Sequence, residues 1–100
     1  MIDEMRLINL MYPYFIKGKG THYRINNFTE ASVLDQIIVS RSLYFGKNQI
    51  KIKEGSTEIF RNEFLLDKKN GRPLRTFQGL KYLGGFSDHL PIYTDIQLLN

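Results

Sequence analysis

Ser87, Asp88 and His89 stand side by side and carry the groups that acid, base or metal chemistry needs. Their setting is Gly84-Gly85-Phe86-Ser87-Asp88-His89-Leu90-Pro91-Ile92. Two glycines free the backbone ahead of them, and a proline with alternating apolar residues follows. That order predicts a loop delivering three side chains to the mouth of a strand. An imidazole at such a junction can be oriented by a carboxylate on a neighbouring strand, which fixes its tautomer and stabilises the imidazolium.

Asp35 is the carboxylate that needs such a partner. It interrupts Val33-Leu34-Asp35-Gln36-Ile37-Ile38-Val39-Ser40, a β-branched and nearly continuous apolar run that predicts a central strand. At period two Asp35 shares a face with Val33, Ile37 and Val39. An ionised carboxylate there costs on the order of several kcal/mol unless it is paired and hydrogen-bonded. The run therefore predicts a partner, with His89 as the candidate; the alternative is a strand mouth open to water. Asp88 would then face the other way, toward a metal ion or an attacking water. Magnesium and manganese prefer hard oxygen ligands of this kind. One aspartate is not a metal site, however, and no convincing second or third acidic ligand stands beside it. The other histidine, His22, falls in a predicted strand with no polar constellation near it in sequence, which reads as a structural or surface position.

Lys68, Lys69, Arg72, Arg75 and Lys81 lead into this loop, and only Asp67 opposes them between residues 64 and 87. Arginine forks onto phosphate oxygens and lysine supplies point charge, so the segment suits an anionic substrate. The net charge of +4 agrees with that sign without requiring it. Two other readings stay open: a solvated loop, or a non-catalytic module binding nucleic acid or other anions. Phe77, Tyr82 and Phe86 could stack on a base or simply pack the loop. Lys17-Gly18-Lys19-Gly20 lacks the strand and spacing of a phosphate-cradling loop.

The elements that must hold these groups are short. Residues 3–12 predict a helix capped by Asp3 and ended by Pro13. Residues 1–20 thus form a helix-and-loop lead-in. Thr21 to Ile25 predicts a strand, Asn26 to Ser32 a turn, and Arg41 to Gly46 a single helical turn. Ile50 to Lys53 and Thr57 to Asn62 predict short strands, and Phe64, Leu65 and Leu66 read as core or interface. Lys68 to Gly71 is a turn, since Asn-Gly favours positive φ. Arg72 to Gly85 reads as a long irregular loop, and Leu90 to Leu98 as a strand. One hundred residues make one domain or part of one. The absence of cysteine excludes a disulfide framework and a thiolate metal site. Asp3 and Glu4 do not suit a signal peptide, and no apolar run reaches membrane-spanning length.

The nine-residue run from Gly84 to Ile92 resembles the C-terminal signature of the endonuclease/exonuclease/phosphatase superfamily. Leu34 to Ser40, followed by Ser42-Leu43, is similar to an earlier aspartate-bearing strand of that family. Arg72-Pro73, Arg75-Thr76-Phe77, Gly79 and Tyr82 also resemble bacterial members. The resemblance covers roughly residues 20 to 99. It implies an α/β sandwich of two sheets, of which this chain, residues 1–100, would be the C-terminal half: an α+β unit of mostly antiparallel strands with one or two helices. It implies divalent-metal-dependent hydrolysis of phosphate esters in nucleic acids, lipid head groups or inositol phosphates, with Mg2+ or Mn2+ as cofactor. His89 would contact the scissile phosphate and act as, or support, the general base. Asp35 would orient His89, and Asp88 would ligate the metal or position its water. Arg72, Arg75, Lys81 and Ser87 would hold the phosphate. Family domains run to about 250 residues. They place an asparagine, a metal-binding glutamate and an Asp-x-Asn pair in the preceding half, and neither Asn26-Asn27 nor Asp3-Glu4 matches those patterns. The expectation is a chain that is inactive alone and prone to dimerise or swap elements.

Overall fold

The computed structural model describes residues 6–23 and 31–99. Among these residues, ten short strands and two short α-helices make an α+β fold in which every strand pair is antiparallel. The strands are β1 (Leu7–Asn9), β2 (His22–Tyr23), β3 (Ala31–Ser32), β4 (Ile38–Ser40), β5 (Ile50–Ile52), β6 (Glu58–Ile59), β7 (Phe77–Gln78), β8 (Lys81–Tyr82), β9 (Ile92–Tyr93) and β10 (Ile96–Leu98). The helices are α1 (Tyr12–Ile16) and α2 (Arg41–Phe45). The strands join in five pairs: β1 with β4, β2 with β3, β5 with β10, β6 with β9, and β7 with β8.

The packed centre lies where β1, β4 and β5 meet. Leu10, Val39 and Ile52 are buried together, and Ile8, Ile37 and Leu43 pack against them. The register sets Ile8 opposite Val39, and the Leu10 amide extends the ladder to the Ile37 carbonyl at 2.9 Å. Two apolar side chains are thereby directed to one face, which is the unit of sheet stabilisation. Directly after β4 the chain turns into α2. Ser40 caps this helix, its Oγ accepting from the Leu43 amide at 3.1 Å. Gly46 ends it at φ +74°, where a Cβ would also press on the Leu99 side chain.

Several predicted elements are shorter or differently placed. The helix expected over residues 3–12 lies partly outside the described residues, and within them Leu7–Asn9 is strand β1 instead. Pro13 stands in the first turn of α1 instead of ending a helix, because its missing N–H costs nothing at that position. The strand expected over residues 33–40 shrinks to Ile38–Ser40, and Asp35 lies on a bend before it. The alternation survives nonetheless: Val33, Asp35, Ile37 and Val39 are the less exposed set, and Leu34, Gln36 and Ile38 the exposed one. Thr57 to Asn62 contributes only Glu58–Ile59, and Leu90 to Leu98 divides into β9 and β10. Residues 24–30 lie outside the described range, so the predicted strand to Ile25 and turn from Asn26 are seen only at their ends. Arg72 to Gly85 contains the hairpin β7–β8, with Gly79 at φ +61° in its turn.

Candidate functional site

Three segments far apart in sequence form the site. Thr21 is pinned on both sides of its backbone. Its amide donates to the Ser32 carbonyl at 3.0 Å, and its carbonyl accepts from the Leu90 amide at 2.8 Å. The second of these, with a bridge between His22 and His89, lays the Ser87–Leu90 loop antiparallel to β2. Thr21 and Leu90 are fully buried, so the segments meet at a fixed, dry point. The β2–β3 pair then delivers Asp35, three residues beyond β3, to the same place.

Asp35 Oδ2 lies 2.6 Å from His89 Nδ1. The same oxygen accepts a hydrogen bond from Thr21 Oγ1 at 2.7 Å. Burial works to push the Asp35 pKa up. The hydrogen bonds from His89 and Thr21, with the charge of His89 and His22, outweigh it and hold the carboxyl below its ordinary value. With Nδ1 engaged by the carboxylate, His89 directs Nε2 toward Asp88, whose Oδ1 is 3.9 Å away. The loop holds this pose locally, because Ser87 Oγ accepts from the His89 amide at 3.0 Å.

Asp88 is where a guanidinium and an imidazole meet. Its Oδ2 lies 3.2 Å from Arg75 Nη1 and 3.3 Å from His22 Nε2. Arg75 is braced in turn by donating Nη2 to the Tyr23 carbonyl at 2.9 Å. Gly85 lets the two halves of this arrangement approach. A Cβ at Gly85 would collide with the Leu74 carbonyl, and the Gly85 amide donates to the Arg75 carbonyl at 3.0 Å. Thr76 Oγ1 closes the turn on the Gly85 carbonyl at 2.7 Å.

The predicted site residues therefore divide. Asp35, His89, Asp88, Arg75 and Ser87 come together. Arg72 stands nearby, its guanidinium 5.9 Å from the centroid of the Tyr23 ring. A pocket of about 190 Å³ beside Asp88 is lined by Tyr23, Arg72, Arg75 and Gln78 among others. Lys81 lies outside its lining, exposed on the β7–β8 hairpin. His22, which the sequence reads as structural or surface, stands beside the site: its ring lies 5.0 Å from that of His89, and its Nε2 faces Asp88. The sequence around it does not mark it, because its companions Asp88 and His89 come from a distant segment.

His22, Asp88 and His89 each present one ligand atom within 4.8 Å of the other two. The donors are two imidazoles and one carboxylate, and Arg75 already lies against that carboxylate. Magnesium takes oxygen ligands. The described residues thus do not by themselves fit a magnesium site.

No helix among the described residues is long and apolar enough to cross a membrane. Comparison with curated proteins and with solved structures finds no match. The model of the Endonuclease/Exonuclease/phosphatase family matches residues 2–98. With essentially its whole length matched, the chain belongs to the endonuclease/exonuclease/phosphatase family.

Proposed function

We propose that this chain carries the base and anion-holding part of a centre that hydrolyses phosphate esters. The observation that supports it most is the contact of His89 Nδ1 with Asp35 at 2.6 Å. A donor at Nδ1 leaves Nε2 free to accept a proton from an attacking water, and the nearby carboxylate stabilises the imidazolium that results. Arg75 offers a forked cation at the same place, suited to phosphate oxygens. Asp88 holds Arg75 and faces the incoming water, and Arg72 lines the adjoining pocket, where the rest of the ester would lie. Ser87 keeps the His89 backbone in place, and its hydroxyl stands at the edge of the proposed phosphate position. Lys81 contributes charge from the hairpin.

Magnesium or manganese, the cofactor expected from the resemblance, needs oxygen ligands that the described residues do not assemble. We therefore propose that the chain by itself hydrolyses phosphodiesters at most weakly, as the C-terminal part of a larger catalytic domain would. The substrate class remains phosphate esters of nucleic acids, lipid head groups or inositol phosphates. Two measurements test the reading. Inorganic phosphate should shift the side-chain NMR signals of His89 and Arg75, and Arg75→Gln should weaken that binding by about tenfold or more. Any hydrolysis of an activated diester with excess magnesium or manganese should fall to background in His89→Ala. Hydrolysis or phosphate binding that ignores both substitutions would overturn the assignment.

A further inference from the structure

We infer that His22, Asp88 and His89 form a binding site for a borderline divalent cation such as Zn2+. The backbone bridge between His22 and His89 makes them direct cross-strand neighbours, and such pairs project from one face of a sheet. Their ring centroids lie 5.0 Å apart with the planes tilted by 50°, and a ligand atom from each, with one from Asp88, lies within 4.8 Å of the others. Zinc bonds imidazole nitrogen and carboxylate oxygen at about 2.0–2.2 Å, so tetrahedral ligand atoms stand roughly 3.3 Å apart. His22 Nε2 lies 3.3 Å from Asp88 Oδ2 and His89 Nε2 lies 3.9 Å from Asp88 Oδ1, so the carboxylate reaches one ring through each oxygen, and a small adjustment of its angle brings the ligand atoms to that spacing. The surroundings suit a ligating histidine. Asp35 engages His89 Nδ1, and this carboxylate–histidine arrangement sets the tautomer that offers Nε2 to a metal. Arg75 bonds the Asp88 oxygen nearest it and fixes the carboxylate, while its charge holds the affinity below that of a closed structural zinc site.

Two nitrogen donors and one oxygen select zinc, cobalt or nickel over magnesium. Such an ion on His89 Nε2 would occupy the atom that the proposed hydrolysis uses, so the site would be inhibitory. That consequence rests on the proposed function; the binding itself does not, and it is measured without any substrate. The test is calorimetric titration of the chain with Zn2+, paired with the visible spectrum of the Co2+ complex. One Zn2+ per chain, undisturbed by excess magnesium, and a low-coordinate Co2+ spectrum are expected. His22→Ala should weaken binding at least about tenfold, and Asp35→Asn, which touches no metal, by roughly 10- to 100-fold. Circular dichroism on each variant separates ligand loss from unfolding, and zinc-induced shifts of the His22 and His89 ring signals in the unaltered chain give a second readout. Absence of Zn2+ binding, unchanged affinity in a folded His22→Ala, or shifts confined to other residues would overturn the site.

Discussion

Asp35 carries opposing physical demands, and their balance can be measured. Burial raises its pKa, while His89 and Thr21 lower it further than burial raises it. A carboxylate whose pKa falls on folding contributes stability above its unfolded pKa and loses it as pH drops through the folded value. The contribution therefore disappears on the acid side of ordinary aspartate titration, below about pH 4. Asp35→Asn should flatten the dependence of unfolding free energy on pH in that window, measured by urea denaturation. Thr21→Val removes one of the hydrogen bonds while keeping the shape of a fully buried side chain. It should cost about 1 kcal/mol and raise the Asp35 titration midpoint seen by carboxylate NMR. The residue-scale reading from sequence rested on one incongruity, a carboxylate on an apolar face. That incongruity pointed to a partner but was silent about Thr21 and His22, whose roles depend on strands paired across long stretches of chain.

Elements here are short, and α2 has a local device at each end. Ser40 and Gly46 bound α2. Gly85 has the sharpest consequence, since its missing side chain lets the site loop lie against the Leu74 and Arg75 carbonyls. Gly85→Ala should displace that loop and destabilise the fold by about 2 kcal/mol or more, because the new Cβ would overlap the Leu74 carbonyl. Its signature would be loss of the Asp35–His89 contact in NMR, not a general loss of structure. Alternation identified the less exposed face as far as Leu90, Ile92 and Thr94, which are less exposed than Pro91, Tyr93 and Asp95, but not beyond, where Ile96 and Leu98 are exposed. The lengths were not legible, because apolar character continues past the last hydrogen-bonded residue. Pro13 was misread for a related reason: proline fits before a helix as well as after one.

The whole molecule is elongated, 51 × 26 × 22 Å, with a radius of gyration of 16.6 Å. A compact domain of this length has about 13 Å. Few large apolar side chains are buried among the described residues, chiefly Leu10, Met11, Val39, Ile52 and Leu90, while Leu7, Phe15, Ile16 and Leu98 are each more than 60% exposed. Exposed apolar surface of this extent favours association. The chain alone should therefore self-associate or melt broadly, as sedimentation velocity and calorimetry would report; a monomer with a sharp transition would contradict this. The resemblance of Gly84 to Ile92 to a family signature foretold the family but not this shape, because a motif reports a site and not the area packed around it.

The most direct test of the account is the protonation pattern of one ring. A long-range proton–nitrogen NMR spectrum of His89 at pH 8, with and without inorganic phosphate, reads it without relying on turnover. The expected result is a proton on Nδ1, an unprotonated Nε2, and a response of Nε2 to phosphate that is lost in Arg75→Gln. A proton on Nε2, or a ring indifferent to phosphate, would contradict the assignment of His89 as the base oriented by Asp35.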